Sequence, residues 1–303
     1  MENDMMSKVK GIYTLSSMTF KEDGSIDYDA FAKLVDFLSK TGAHGVGLWG
    51  MVSEWHKVND YERGILNNIF LEIMKSAPAA SNLFVTDWCT EKAVARAKEY
   101  EKMGADTLTL LPPFYFNPSL DEVRNHMISV LEAVDIPVLI QYAPQATGHY
   151  MPDEELIEMA NNYPNAAFKI EYKPAKDFLQ KFLDLKSDMV ILTGYAGLEM
   201  IELYKIGVRG VMPACSYTEV YVAMYNKFMS GDIAGAQKIY DMLEKYLRKW
   251  MVSPESLLAI EKELLVRRGI LPNSYCRRPK YHLTEENSAE INQFLIEFAE
   301  YLK

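Results

Sequence analysis

Asn165-Ala166-Ala167-Phe168-Lys169-Ile170-Glu171 lies between Pro164 and Pro174. This short apolar run, closed by a proline on each side, reads as a buried β-strand. Lysine is almost never fully buried without a partner, so Lys169 marks the segment as unusual. Burial disfavours the ammonium form of a lysine. A neutral amine attacks a ketone or aldehyde carbon and forms a Schiff base. Glu171 is two residues further on and shares the Lys169 face of a strand. The same pattern also fits an ordinary structural ion pair between Lys169 and a carboxylate.

On either side of this strand the same punctuation recurs. Short apolar runs fall at residues 11–15, 45–49, 83–86, 106–110, 137–141, 166–171, 189–193 and 210–212. Segments of helical spacing follow them at 27–40, 61–76, 91–103, 120–134, 152–162, 175–185 and 197–206. Asp23-Gly24 is a turn signal and Gly42 a helix stop. Strands alternating with helices predict right-handed βαβ units and a parallel sheet. Eight such units in about 220 residues match a (β/α)8 barrel. A doubly wound open sheet is the alternative, weakened because no GxGxxG or GxxxxGK[ST] follows any strand. Beyond residue 216 only helices are expected, over 219–230, 233–250, 254–268 and 285–302. The expected division is therefore a barrel over 1–215 and, over 216–303, its last helix with a C-terminal helical extension.

In such a barrel, chemistry sits at the C-terminal strand ends and the loops after them. Lys169 and Glu171 lie there, together with Gly50, Met51, Val52, Ser53, Gln141, Gly194 and Met212. That position favours the catalytic reading of Lys169.

Composition limits the alternatives. The chain has 303 residues, 49% hydrophobic and 24% charged, an ordinary globular balance. A net charge of −10 without a basic run argues against a nucleic-acid partner. Cys89, Cys215 and Cys276 are far apart, and no HExxH motif occurs. Neither a metal site nor a disulfide framework is expected. Residues 1–10 do not read as a signal peptide, and no apolar run approaches the roughly 18 residues of a membrane span. A cytoplasmic protein is expected.

Particular motifs resemble the dihydrodipicolinate synthase and N-acetylneuraminate lyase family, from about Gly11 to Tyr301. They are Asp23-Gly24-Ser25-Ile26-Asp27, Leu111-Pro112-Pro113-Phe114-Tyr115, Pro137-Val138-Leu139-Ile140, Pro144-x-x-Thr147-Gly148, and Gly207-Val208-Arg209-Gly210-Val211-Met212. The resemblance implies a class I aldolase on a (β/α)8 barrel with a helical extension. Lys169 would be the Schiff-base lysine, with no metal or organic cofactor. It further implies a homo-oligomer, dimer or tetramer, with Tyr115 crossing a subunit interface. Substrate contacts would come from Gly50, Met51, Val52, Ser53, Gln141, Thr147, Gly194 and Met212.

The departures are equally specific. Met51 and Val52 replace the hydroxyl residues that hold the 2-oxo acid's carboxylate, and Ser53 offers one hydroxyl a step later. Gln141 stands where the family keeps a proton-relaying tyrosine, and an amide does no acid–base work at neutral pH. Ala146 replaces a substrate-binding arginine. Lys169-x-Glu171 and Arg277-Arg278-Pro279, with Gln141, resemble a divergent branch, in which Glu171 takes part of the tyrosine's role. The reading is a lyase acting on a pyruvate-type 2-oxo acid, and not a true dihydrodipicolinate synthase. A non-catalytic metabolite-binding barrel and a Schiff-base hydratase or dehydratase are the alternatives. Trp55 and His56 either reach the pocket mouth or, the favoured reading, pack on the surface, and Glu54 is assigned to capping the next helix or holding its loop.

Overall fold

The computed structural model describes residues 4–302. Its order is β1 (Gly11–Leu15), α1 (Tyr28–Ser39), β2 (Gly45–Leu48), α2 (Asp60–Met74), β3 (Ala80–Val85), α3 (Thr90–Lys102), β4 (Thr107–Leu110), α4 (Leu120–Leu131) and β5 (Val138–Tyr142). There follow α5 (Pro144–Thr147), α6 (Asp153–Asn162), β6 (Ala166–Ile170), α7 (Lys176–Leu185), β7 (Ile191–Thr193), α8 (Met200–Lys205) and β8 (Gly210–Val211). Four helices follow among the described residues: α9 (Thr218–Met229), α10 (Ile233–Trp250), α11 (Pro254–Arg267) and α12 (Glu285–Glu297). The strands close in sequence order as a barrel, β1 to β8, and the pairs from β3 round to β1 are parallel. This is the (β/α)8 barrel that the alternation predicts. Nearly every strand residue is buried, as expected when a parallel sheet is covered on both faces.

Contacts group the chain into two compact units. One comprises Met1–Tyr13 and Ala80–Met212, the other Thr14–Ala79 and Pro213–Lys303. The first unit carries β3 to β8. Its register is fixed residue by residue, with Gln141 opposite Lys169 and Lys169 opposite Leu192. β8 approaches β1 closely because residue 210 is glycine: a Cβ there would lie 2.1 Å from the Gly11 carbonyl oxygen.

The second unit holds α1, β2, α2 and α9 to α12. Its helices start at local caps: Asp27 accepts from the Ala30 N–H, and Asn59 with Glu62, and Ser253 with Ser256, form capping boxes. Tyr217, Tyr246, Trp250, Phe294 and Phe298 pack their rings together between the C-terminal helices. That cluster gives the extension a core of its own.

Several local features differ from the sequence-based expectation. The helix expected over 197–206 begins only at Met200, after a turn in which Tyr195, Ala196 and Glu199 all have positive φ. The helix expected through 302 ends at Glu297. Residues 51–57, expected as loop, form two 3-10 turns hinged at Glu54, whose φ is 48°. Such short or strained turns leave no periodic signal in a sequence.

Candidate active site

Lys169 is the first polar residue of β6, preceded by Ala166, Ala167 and Phe168, all buried. Its side chain is 6% exposed, and Nζ lies 3.2 Å from Glu171 Oε1. The Phe84 ring on β3 covers the ammonium group at 5.4 Å from its centroid. Gln141, in register on β5, donates from Nε2 to Glu171 Oε2 at 2.7 Å. The backbone N–H of Tyr195 donates to the same carboxylate. One carboxylate therefore receives an ammonium, an amide and a backbone N–H. Burial alone would raise the Glu171 pKa. The Lys169 charge and the hydrogen bonds from Gln141, Lys169 and Tyr195 outweigh it, and hold the carboxyl below its ordinary range.

Glycine at 194 makes this arrangement possible. A Cβ there would lie 2.1 Å from Glu171 Oε1 and 2.3 Å from its Cγ. Gly194 also donates its N–H to the Ile170 carbonyl at 3.0 Å, so β7 is drawn against the end of β6. The turn that follows carries Tyr195 with φ 47° and Ala196 with φ 52°. Non-glycine residues rarely adopt this conformation, and it collects at functional sites. The Tyr195 phenol is itself shifted up, first by burial and then by the Glu171 charge.

Tyr142 turns away from this group, as strand alternation requires. Its hydroxyl donates to the Met151 carbonyl at 3.4 Å, and burial pushes its pKa up to about 12. Thr147 uses its hydroxyl within α5, donating to the Ala143 carbonyl at 3.1 Å. Met212 is buried just past β8 and donates its N–H to Thr193 at 2.9 Å. Tyr115 is 68% exposed and stacks on Trp88 with centroids 5.4 Å apart. Among the described residues no hydrogen bond or ion pair joins Tyr115 to Lys169.

Gly50, Met51, Val52 and Ser53 belong to the other compact unit. Met51 is exposed, whereas Val52 and Ser53 are buried. The Ser53 hydroxyl, expected to be available as a donor, donates its hydrogen bond to the Ser16 carbonyl at 2.6 Å. A serine has one O–H, so this donor is taken. Glu54 caps no helix, contrary to one of the expected roles; Asn59 caps α2 instead. The Glu54 carboxylate is fully buried between Lys262 of α11 and Lys57, the latter at 3.1 Å. Lys57 continues to Glu255 and to the Pro279 carbonyl, and Arg277 clamps Glu62 and the carbonyls of Gly24 and Lys57. This network fixes the 51–57 turns to the C-terminal extension, which is the loop-holding role.

A profile of the Dihydrodipicolinate synthetase family matches residues 8–297. The chain belongs to this family. Its members are carbon–carbon lyases of the aldolase type, and the chain is placed among them. It is 24% identical to an uncharacterised DapA-like lyase of Thermofilum pendens over 95% of this chain and 97% of that protein. It is 26% identical to a 4-hydroxy-tetrahydrodipicolinate synthase of Ehrlichia canis over 96% of this chain and 99% of that one. A solved dihydrodipicolinate synthase from Thermotoga maritima superposes with TM-score 0.86 at 22% identity, covering 96% and 99% of the two chains. An N-acetylneuraminate lyase from Mycoplasma synoviae gives 0.83 at 18%, covering 98% and 100%.

Within the family's fold, sequence reasoning identified Lys169, Glu171, Gln141 and Gly194, which the structure brings together. It named no role for Tyr195, and it overlooked Lys173 and Gln145. Gln145 clamps the Lys173 backbone from both sides: its Nε2 donates to the carbonyl at 2.7 Å, and its Oε1 accepts from the N–H at 2.8 Å. The alternation 169, 171, 173 was the available signal, but it stops being reliable where the strand ends at Ile170.

Proposed function

We propose that the protein is a Schiff-base-forming lyase acting on a pyruvate-type 2-oxo acid, with Lys169 as nucleophile and Glu171 as proton carrier. The observation that carries the reading is the contact set at Lys169. A buried amine at a C-terminal strand end stands 3.2 Å from a carboxylate that Gln141 holds in place. The neutral amine adds to C2 of the 2-oxo acid, forming an N–C bond. The carbinolamine then loses its hydroxyl as water, leaving an iminium. A base takes the proton of a C4 hydroxyl, the C3–C4 bond breaks with C4 leaving as an aldehyde, and the electron pair enters the iminium, giving an enamine that is reprotonated at C3; water then hydrolyses the resulting iminium and frees Lys169. The iminium is the electron sink, so the reaction as written takes no metal or organic cofactor.

Glu171 suits the proton steps through its coupling to Lys169. While Nζ carries a charge, the carboxyl stays ionised. In the neutral carbinolamine and enamine stages that charge is gone, burial dominates, and the carboxyl gains affinity for a proton. Gln141 cannot relay protons and instead orients the carboxylate. Tyr115, Trp88 and Phe116 form an exposed aromatic patch, which fits coverage by a second copy in a homo-oligomer. The three free cysteines suit a cytoplasmic protein.

Borohydride with a panel of 2-oxo acids, read by intact mass, tests the reading. A reduced adduct is expected on the wild type at Lys169 and none on Lys169→Ala. A folded wild-type protein that traps no 2-oxo acid overturns it.

A further inference from the structure

The geometry points to Lys173 as a receptor for a second acidic group on the substrate, so that the preferred 2-oxo acid is a dianion. This deepens the proposed function and rests on it. Lys173 lies four residues beyond Lys169, so their Cα atoms are at most about 14 Å apart. A chain of direct contacts joins them. Lys169 Nζ meets Glu171 Oε1 at 3.2 Å, the Tyr195 N–H donates to Glu171, and Lys173 Nζ lies 4.0 Å from the centroid of the Tyr195 ring.

Two independent features place Lys173, one at its backbone and one at its ammonium. Gln145 fixes its backbone with two hydrogen bonds, at 2.7 and 2.8 Å. The Tyr195 ring supports the ammonium from one side, and that ring is set by a backbone with φ 47°. A lysine is ordinarily a mobile point charge with three donors. Among the described residues no carboxylate pairs with Lys173. The ring occupies one side of the ammonium and leaves donors for an incoming anion. Lys169 and Glu171 already neutralise each other, and Lys173, exposed beside the Tyr195 ring, adds a positive charge next to them. The contact chain sets Lys173 beyond Glu171 and the Tyr195 ring, so the second anion, carboxylate or phosphate ester, belongs at the end of the 2-oxo acid far from C2.

The test compares 2-oxoadipate with 2-oxohexanoate, which match in length and differ in the terminal charge. Trapping efficiency on the wild type, with cyanoborohydride and intact mass, is expected to favour 2-oxoadipate by about tenfold or more, the scale of one charge-assisted hydrogen bond. Lys173→Gln is expected to bring the ratio close to one, and Lys173→Arg to retain most of it. A six-carbon 2-oxo acid ending in a phosphate ester, run alongside, identifies which anion is preferred. A ratio near one in the wild type, or a ratio unaltered by Lys173→Gln, overturns the proposal. Equal losses for both acids also overturn it, since they mark a merely structural lysine. Calorimetry on Lys169→Ala separates the two readings, because no adduct forms there. A preference for 2-oxoadipate that vanishes in Lys169→Ala/Lys173→Gln supports the anion receptor even if Schiff-base trapping fails in the wild type.

Discussion

Gly194→Ala should disable Glu171 without replacing it. The added Cβ would sit 2.1 Å from Oε1, 2.3 Å from Cγ and 2.6 Å from Cδ of Glu171. Ordinary contact begins at 3.4 Å, so the carboxylate must retreat by about 1.3 Å. Because Cγ is also struck, rotation at the tip cannot relieve the overlap, and the side chain must leave its rotamer. The 3.2 Å pair with Lys169 and the 2.7 Å bond from Gln141 are then lost. Residue 194 has φ −98°, outside the left-handed region that favours glycine. Lost hydrogen bonds to a charged, partly buried group should cost about 1–3 kcal/mol of stability. Losing a positioned acid–base group typically costs about 10²-fold or more in rate. The assay is deuterium exchange into the methyl group of pyruvate, followed by NMR, which reports enamine formation and needs no second substrate. Exchange should fall about 10²-fold in Gly194→Ala and comparably in Glu171→Ala. Gly194→Ala should then be nearly silent in the Glu171→Ala background, where no side chain remains to be displaced. Additive losses, or wild-type exchange in Gly194→Ala, would refute both the steric reasoning and the relay role of Glu171.

Four other outcomes are expected. The protein should not condense pyruvate with aspartate semialdehyde at a useful rate in a coupled reductase assay, since Gln141 and Ala146 replace the relay and the arginine. Lys262→Met should lower stability in denaturant titration by about 3 kcal/mol, the low end for removing one partner of a buried pair, because Lys57 still faces Glu54; Lys262→Met/Glu54→Gln should recover part of the loss. Glu261, fully buried on α11, has its carboxyl pushed up to about 7 by burial. Its stabilising protonated form is complete below the unfolded value of about 4.3 and lost as pH rises through the folded one, so Glu261→Gln should stabilise by about 1 kcal/mol or more at pH 8 relative to its effect at pH 5. Mass photometry should find an oligomer, and Tyr115→Asp with Phe116→Asp should shift it toward monomer; an unchanged mass would remove the aromatic patch from the interface.

The barrel was legible because its cause is local and repeated. Apolar runs of strand length alternating with amphipathic helices admit few topologies, and the sequence carries that alternation eight times. Lys169 stood out for the same reason, as a charge inside an apolar strand, and alternation put Glu171 beside it and Tyr142 on the other face. What each group contacts depended on distant segments. Whether Ser53 could meet a substrate turned on the Ser16 carbonyl, 37 residues away, which accepts its hydrogen bond. Glu54 found its main partner on α11, 208 residues on. The Tyr195 turn, which orients Glu171 and supports Lys173, uses positive φ at residues whose types give no hint of it. Periodicity is written in neighbouring residues, so the sequence alone determined the strands, the helices and the candidate lysine. Hydrogen-bond partners and backbone strain arise only when the chain closes, so the tertiary structure decided which polar groups are free to act.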